Sequence, residues 1–278
     1  MTNIAFLTVV YSTPPHLTHT IKSVCELNFK KFDIVPHLII WDNSIDGYDC
    51  SQLFNFFDNK SITYCHKGKN EKLSKVYNQI IKDFSEINDF LVILDDDSML
   101  SDEYLRELIN FISLSKDSDS LAIAIPQIFY KNNLISPGIV KGVRGYRLSS
   151  ICSGISKRSD IVAMMSGTVI KLNHPQMPQF DERLNFYGVD TKFFMNAIRE
   201  KILIYIMNYK MYHESALRDE SLKYEEHILR LSNLFLARKI IYEDVCCGKL
   251  RLLIYKFFFS IKLVLLKKNL GYLKLIIV

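Results

Sequence analysis

The sequence predicts an α/β protein with a mostly parallel central sheet, helices on both faces of that sheet, and a C-terminal helical extension. Two observations lead to this prediction. Apolar, β-branched runs alternate with amphipathic helical patterns up to about residue 125, as in strand–helix–strand units. Beyond about residue 215 only helical periodicity continues. We therefore expect a main domain over 1–215, a helical extension over 216–248 and a basic amphipathic helix over 249–278.

The elements of the main domain follow one another in regular order. Apolar runs predict strands at residues 4–11, 35–41, 62–65, 90–94 and 121–125. Apolar residues at helical spacing lie between them, at 17–27, 73–84 and 105–112. Residues 127–160 are mixed and predict loops and short strands. A strand over 162–172 with Ser166 and Gly167 inside it, a helix near 193–198 and a strand over 202–206 complete the domain.

An acidic cluster follows the fourth strand directly. The apolar residues 90–94 lead into Asp95, Asp96, Asp97 and Ser98. Open α/β sheets bind ligands at the carboxyl ends of their strands, so we expect this cluster at the ligand-binding edge. Three adjacent carboxylates repel one another, which favours a divalent cation with oxygen ligands. Acidic tripeptides also begin helices, and that alternative stays open here.

Composition excludes several classes of protein. Of 278 residues, 49% are hydrophobic and 23% charged, as in an ordered protein, and the net charge of +5 is too small to imply nucleic-acid binding. Six cysteines without a CxxC pair indicate reduced thiols in a cytosol. The N-terminus reads as a first strand and lacks the features of a signal peptide. No G-x-G-x-x-G or Walker loop follows that strand, which argues against NAD and against a phosphate-binding loop.

A series of short motifs resembles family 2 glycosyltransferases of the GT-A fold, in particular a rhamnosyltransferase-like branch. In chain order the motifs are Trp41-Asp42-Asn43-Ser44, Asn70 with Leu73-Ser74-Lys75-Val76-Tyr77-Asn78, Leu94-Asp95-Asp96-Asp97-Ser98, Met165-Ser166-Gly167-Thr168, Phe180-Asp181-Glu182, Tyr187-Gly188-Val189-Asp190-Thr191 and Tyr212-His213. Each motif is weak alone, and their common order makes the resemblance specific. Lys72 departs from the pattern, since the family often has glycine there. The resemblance implies a Rossmann-like nucleotide-binding half followed by an acceptor half.

The resemblance also implies roles for individual residues. Residues of the nucleotide-sugar site would be Val10, Tyr11, Asp42, Asn70, Asn78, Asp95 and Asp96, with Asp42 bonded to a pyrimidine base and Asp96 contributing least. A Mg²⁺ or Mn²⁺ ion would be held by Asp97, Asp95 and His213. Asp190 would be the general base, and Ser166, Gly167 and Tyr187 would lie near the donor or acceptor sugar.

Structural alternatives stand beside these roles. Asp42 fits an Asx turn, Asp190 a helix cap and His213 a satisfied structural histidine. Ser166 and Gly167 fit a tight packing point, and Tyr187 fits the core. The residues alone do not separate these alternatives from the functional roles.

The function that the resemblance implies is sugar transfer from a UDP- or dTDP-linked donor to a hydroxyl of a polysaccharide or lipid-linked oligosaccharide. We expect a role in bacterial surface polysaccharide (capsule or O-antigen) synthesis, with inversion at the anomeric carbon. A nucleotidyltransferase also uses an α/β fold, paired acids and a metal, but Ser12-Thr13-Pro14-Pro15 is a poor phosphate loop. A non-catalytic subunit that binds nucleotide-sugar or carbohydrate is the other alternative.

The C-terminal segment predicts a helix at the membrane surface. On one helix, Lys249, Lys256, Ser260, Lys267 and Lys274 would form a polar stripe amid large apolar residues. No apolar run is long enough to span a bilayer, whereas a basic amphipathic helix suits the membrane interface. We therefore expect a cytoplasmic protein on the inner face of the cell membrane. Packing of this helix on the catalytic domain or on a second copy, as in a homodimer, is the alternative.

Overall fold

The computed structural model of the protein describes residues 1–49, 53, 61–212 and 223–278, and it confirms the predicted α/β architecture. Its strands are β1 (Thr2–Val10), β2 (Ile34–Asp42), β3 (Ser61–His66), β4 (Phe90–Leu94), β5 (Leu121–Tyr130), β6 (Asn133–Ser136), β7 (Gly138–Lys141), β8 (Arg144–Arg147), β9 (Gly154–Ile155), β10 (Ile161–Val162), β11 (Thr168–Lys171) and β12 (Leu203–Tyr212). Its α-helices are α1 (His19–Glu26), α2 (Leu73–Phe84), α3 (Asp102–Lys116), α4 (Val189–Arg199), α5 (Tyr224–Ile241) and α6 (Gly248–Lys267).

The large sheet has the strand order β3-β2-β1-β4-β11-β5-β12-β9, and β6 pairs with β5. Pairs β3–β2, β2–β1, β1–β4 and β5–β12 are parallel, whereas β11 runs antiparallel between β4 and β5. A second sheet has the order β10-β7-β8, and two of its strands, β7 and β8, lie within the segment 127–160 predicted as loops and short strands. The parallel half therefore brings the carboxyl ends of β1, β2 and β4 to one edge.

The two faces of the sheet are covered by different helices. Along β4, Leu91 and Ile93 pack toward α2 and α4, whereas Phe90, Val92 and Leu94 pack toward α1 and α3. All five side chains are buried, which explains why the strand reads as one continuous apolar run. Side chains therefore alternate between the two faces of the sheet along β4.

One sequence prediction about this region is wrong. The single strand predicted over 162–172 is two short strands, β10 and β11, and Ser166 and Gly167 lie in the turn between them. Gly167 has φ +73°, and a Cβ there would lie 2.7 Å from Pro126 Cγ. A residue with a positive φ interrupts the extended backbone of a strand, and Gly167 does so here against Pro126. The apolar run in the sequence does not reveal this turn.

The C-terminal extension packs on the face of the sheet that α2 and α4 cover. Phe235 of α5 is fully buried, with its ring centroid 6.2 Å from that of Tyr255 and 5.6 Å from that of Phe259, both on α6. These contacts join α5 and α6 to the same core as α2 and α4. Within the described residues, no helix is long and apolar enough to cross a membrane.

The prediction of a single helix over 249–278 is corrected in two respects. The α6 helix ends at Lys267, Lys268 takes a left-handed φ of +50°, and a 3₁₀ segment, Leu270–Ile276, packs back on α6. The middle of the predicted polar stripe also faces the protein, because Lys256 and Ser260 are buried. The exposed residues of α6 are mostly large and apolar, together with Lys249, Arg251, Lys262 and Lys267.

Candidate active site

The carboxyl ends of three parallel strands form the edge at which the predicted nucleotide residues lie. In the β1–β2 register, Val10 lies beside Asp42, and in the β1–β4 register Thr8 lies beside Leu94, the last residue before the acidic cluster. Val10 is buried and its carbonyl accepts a hydrogen bond from Asn43 N at 2.8 Å. Tyr11, one residue beyond the strand, is 53% exposed. The sheet therefore gathers these predicted residues at one edge.

Asp42 is fully buried at the end of β2, and both of its oxygens accept hydrogen bonds. Ser44 N donates to Oδ1 at 2.9 Å, which is the Asx-turn contact, and Tyr64 OH donates to Oδ2 at 2.6 Å. Each carboxylate oxygen has a second lone pair, so a base N–H is chemically compatible with these bonds. The structure contains the Asx turn, and the base contact of Asp42 stays a prediction.

Asn70 fixes the shape of the loop after β2. Its Oδ1 accepts a hydrogen bond from Asn43 Nδ2 at 2.8 Å, and Asn43 Oδ1 in turn accepts from Trp41 Nε1 at 3.1 Å and Glu71 N at 2.8 Å. The side chain of Asn70 therefore supports the edge on which a nucleotide would lie.

The acidic cluster forms a tight turn at the end of β4. Ser98 N donates to Asp95 O at 3.3 Å, and Thr20 Oγ1 of α1 donates to the same carbonyl at 2.5 Å. Thr20 N also donates to Asp96 O at 3.4 Å. Thr20 thus ties the backbone carbonyls of both Asp95 and Asp96 to α1, and the opposite directions expected for the two side chains stay a prediction.

Ser166 and Gly167 support the turn of the acidic cluster through hydrogen bonds. The buried hydroxyls of Ser98 and Ser166 lie 2.5 Å apart, and Gly167 N donates to Ile93 O at 2.8 Å. Tyr104 OH of α3 donates to Gly167 O at 2.8 Å. Ser166 is fully buried, so in this structure its side chain supports the acidic turn and offers no surface to a sugar.

Helix α2 connects the nucleotide edge to the segment that leads to Asp190. Asn78 bonds the backbone of Phe180 in both directions, with Phe180 N donating to Oδ1 and Nδ2 donating to Phe180 O, each at 2.9 Å. Ser74 Oγ donates to Leu184 O at 2.5 Å. Both groups of Asn78 are thereby used within the protein, so this motif residue joins the two halves of the domain.

Asp190 lies in the first turn of α4, after Gly188 at the N-cap. Thr191 N donates to its Oδ1 at 2.8 Å. Burial raises the pKa of the Asp190 carboxyl from 3.8 to about 6, although hydrogen bonds from Thr191 and from its own backbone partly oppose that rise. A carboxyl with a pKa near neutrality is well matched to proton transfer.

Tyr77 lies within electrostatic range of both acidic groups. It lies on α2, buried, with its ring centroid 5.0 Å from that of Phe180. Burial raises the pKa of its phenol well above the usual value, and the negative charges of Asp95 and of Asp190 raise it further. Carboxylates from the end of β4 and from the start of α4 therefore both act on one phenol. The sequence motif contained Tyr77 without indicating this position.

Other predicted residues lie less centrally or outside the described part. Tyr187 is half-buried against the core, with its ring edge-to-face with exposed Phe186 at 5.3 Å. His213 lies outside the described residues. Over residues 1–49, 53, 61–212 and 223–278, no group of three or more His, Cys, Asp or Glu side chains is arranged to hold a metal ion.

Comparisons with known proteins agree with this geometry. A family model described as "Glycosyl transferase family 2" matches residues 6–219. No curated protein sequence matches the chain. A crystal structure of GalNAc-T7 with UDP, GalNAc and Mn²⁺ matches with a TM-score of 0.60 and 11% identity, covering 85% of this chain and 47% of that one.

Two structures of TarS from S. aureus also match. The TarS structure gives a TM-score of 0.50 and 13% identity over 86% of this chain and 44% of that chain. TarS 1–349 in complex with UDP-GlcNAc gives 0.52 and 13% over 88% of this chain and 71% of that chain. The chain thus spans less than half the length of TarS and of GalNAc-T7, and at these identities the likeness shows the GT-A fold alone. Because the family model covers most of the chain, the protein belongs to glycosyltransferase family 2.

Proposed function

We propose that the protein transfers a sugar from a nucleoside-diphosphate-sugar to a hydroxyl of a saccharide or lipid-linked oligosaccharide. The observation that carries the proposal is that buried Tyr77 lies within electrostatic range of both Asp95 and Asp190, because this brings an acidic strand end near a carboxyl with a raised pKa. The UDP and UDP-GlcNAc in the similar structures support a UDP- or dTDP-linked donor.

The donor would lie along the edge formed by β1, β2 and β4. Val10, Tyr11 and Asp42 would contact the nucleoside, since they end neighbouring strands. Asn70 and Asn78 would act through the backbone they fix, Asn70 at the loop after β2 and Asn78 at Phe180. Asp95, directed toward Tyr77, would face the ribose and diphosphate.

The donor set at the end of β4 fits a Mg²⁺ or Mn²⁺ ion. These ions are usually held by one or two carboxylates together with substrate phosphates, which Asp97 and Asp95 would supply beside a diphosphate. His213 is a further candidate ligand. When bound, the ion would stabilise the negative charge of the leaving nucleoside diphosphate. The Mn²⁺ in the GalNAc-T7 structure supports this choice of metal.

Asp190 would take the proton from the attacking acceptor hydroxyl. Its carboxylate comes from the first turn of α4, whereas Asp95 follows β4, so donor and acceptor groups would have separate carboxylates. One base opposite the leaving group suits a single displacement, which inverts the anomeric carbon. Half-buried Tyr187 and exposed Phe186 would supply a stacking surface for the acceptor sugar.

The acceptor would be presented at an anionic membrane surface. Seven outward side chains of α6 are 46–72% exposed: Leu250, Leu253, Ile254, Phe257, Phe258, Leu265 and Leu266. Residues 248–278 hold seven lysines and arginines and no acidic residue. Such a charge favours anionic lipid on the inner face of the cell membrane and opposes contact with the same surface of a second copy. This supports a role in bacterial surface polysaccharide synthesis.

A panel of nucleotide-sugars tests the proposed reaction. Each donor is incubated with a hydroxyl acceptor and Mg²⁺ or Mn²⁺, with a chelator in the control, and the released nucleoside diphosphate is measured. We expect one donor class to give metal-dependent release. Release of pyrophosphate with transfer of a nucleotide would support a nucleotidyltransferase instead. Donor binding without turnover in any metal would support the non-catalytic alternative.

Vesicle sedimentation tests the proposed membrane surface. The protein should bind vesicles that contain phosphatidylglycerol more strongly than pure phosphatidylcholine vesicles. Removing a buried phenylalanine from lipid forfeits about 1.5–3 kcal/mol, so F257E/F258E should weaken binding at least tenfold. I87E, at a residue 58% exposed in the loop before β4, is the matched control and should bind normally. A concentration-dependent dimer that F257E/F258E abolishes, without vesicle binding, would show that a second copy covers this face.

A further inference from the structure

We infer that Lys192 is a positioning residue that holds Asp190 by fastening α4 to the C-terminal extension. The inference rests on the proposed role of Asp190 as the general base. Lys192 follows Asp190 by two residues, and its backbone N donates to Gly188 O at 3.0 Å. It is therefore part of the same first helical turn as the base.

The ammonium group of Lys192 is buried and fully engaged. The residue is 4% exposed, and its Nζ lies 3.1 Å from Asp244 Oδ2, 3.4 Å from Glu243 Oε1 and 3.2 Å from Ile240 O. Three acceptors match the three donors of an ammonium. All three belong to the last turn of α5 or to the residues just after it. A buried charge is held firmly by its partners, because losing them leaves the charge desolvated.

Gly188, on the N-terminal side of Asp190, also lies against α5. It has φ +77°, and a Cβ at this position would overlap Ile241 Cδ1, the end of α5. The backbone of Gly188 therefore lies directly against α5. The residues that precede and follow Asp190 both contact the final turn of one helix, so the position of the base depends on where α5 sits.

Two other cations take part in the same cluster but at its surface. Arg183 bridges Asp181 and Glu243, with Nη1 2.9 Å from Glu243 Oε2, and Arg199 Nη1 lies 3.4 Å from Asp244 Oδ2. Their side chains are 55% and 52% exposed. Exposed ion pairs contribute little to the free energy of folding. Burial therefore distinguishes Lys192 as the strong link between α4 and the extension.

The expected consequence is a loss of turnover with little loss of donor affinity. A displacement of about 1 Å in a catalytic group can lower the rate by up to roughly a hundredfold. Within the described residues, the side-chain hydrogen bonds of Lys192 go to α5 and to the segment after it, and none goes to the donor edge at β1, β2 and β4. Loosening α4 should thus affect the acceptor side selectively.

The test compares K192M with R199M, a matched variant that removes an exposed cation bonded to the same Asp244. Steady-state turnover is measured with the donor identified in the panel, at a temperature at which circular dichroism shows each variant folded. We expect K192M to lower kcat about 10–100-fold with the donor KM changed less than twofold. R199M should retain kcat within about twofold, as expected for a surface ion pair. E243Q/D244N removes both negative charges that face Lys192 from the extension side and should lower kcat in the same way.

Three results would overturn the inference: wild-type kcat in K192M, equal losses in K192M and R199M, or a rise in donor KM that accounts for the whole loss. D190N separates this inference from the proposed function. If D190N keeps wild-type turnover, the general base is misassigned and the inference fails with it. If D190N abolishes turnover while both K192M and E243Q/D244N keep it, only the role of Lys192 is overturned.

Discussion

The two acidic groups of the site are held in place in different ways. The turn at Asp95 follows a strand whose five side chains are all buried, and it is fixed by hydrogen bonds from Thr20 and Ser98 within the main domain. Asp190 lies on a helix whose first turn contacts a separate C-terminal segment through Gly188 and Lys192. The proposed leaving-group side is therefore built into the sheet, whereas the proposed acceptor side depends on the extension.

The sharpest test of this difference is the substitution D190N. An asparagine keeps the shape of the side chain and can still accept the bond from Thr191 N, but it cannot take a proton. We expect kcat to fall by about a thousandfold, within the range for general base catalysis. Donor affinity, measured by calorimetry, should stay within about threefold. A parallel loss of donor affinity would mean that Asp190 belongs to the donor side as well.

The complementary variant, on the proposed metal and donor side of the site, is D97N. Loss of one carboxylate ligand should weaken metal-dependent donor binding by roughly 10–100-fold, in line with the effect of lost metal-site interactions. Donor titration with and without Mn²⁺ measures it. S101A, just beyond the acidic turn, serves as the control. If the metal strengthens donor binding equally in D97N and in the wild type, Asp97 is not a ligand.

The pH dependence of turnover should report Asp190. A general base acts when deprotonated, and burial raises the pKa of this carboxyl to about 6. We therefore expect kcat to fall about tenfold per pH unit below 6 and to be level above it, up to the titration of other groups. Tyr77 and Asp95 are the titratable groups that share this site. In D190N the residual rate should lose the inflection near pH 6.

The smallest expected effect is that of D190N on stability. D190N should lower turnover but raise the free energy of unfolding. Below about pH 3 the Asp190 carboxyl is mostly protonated in both folded and unfolded chains. As the pH rises from 3.8 to about 6, the unfolded chain ionises first, so the free energy of unfolding decreases. D190N should therefore stabilise the protein by about 1–3 kcal/mol at pH 8 and have little effect at about pH 3. Denaturant unfolding at the two pH values measures this, and a destabilised D190N at pH 8 would contradict the buried-carboxylate explanation.

Much of the fold could be predicted from the sequence because its signals are local. The uninterrupted apolar run of β4 and the alternation of strands and helices each reflect burial on the sheet. The turn at Ser166 and Gly167 could not be predicted, since it depends on contact with Pro126 from a distant strand. The outward face of α6 could not be predicted either, because it depends on which residues of α6 pack on α5.

The candidate site shows the same division. Asp95, Asp97 and Asp190 stand at element ends, where a sequence pattern can locate them. Tyr77 and Lys192 act through partners from other elements: Tyr77 through Asp95 and Asp190, and Lys192 through Glu243 and Asp244. Helical periodicity places Tyr77 on the apolar side of α2, and nothing in the local sequence indicates those partners. Such roles become visible only in three dimensions.

The orientation of α6 determines how this enzyme can be made tractable in solution. Deleting the helix would uncover Phe235 and leave Lys192 and Gly188 against a loosened α5, because Tyr255 and Phe259 of α6 pack on that phenylalanine. Replacing the outward residues Phe257, Phe258, Leu265 and Leu266 with polar ones would instead leave every inward contact intact. Surface substitution rather than truncation is therefore the route to a soluble, active form.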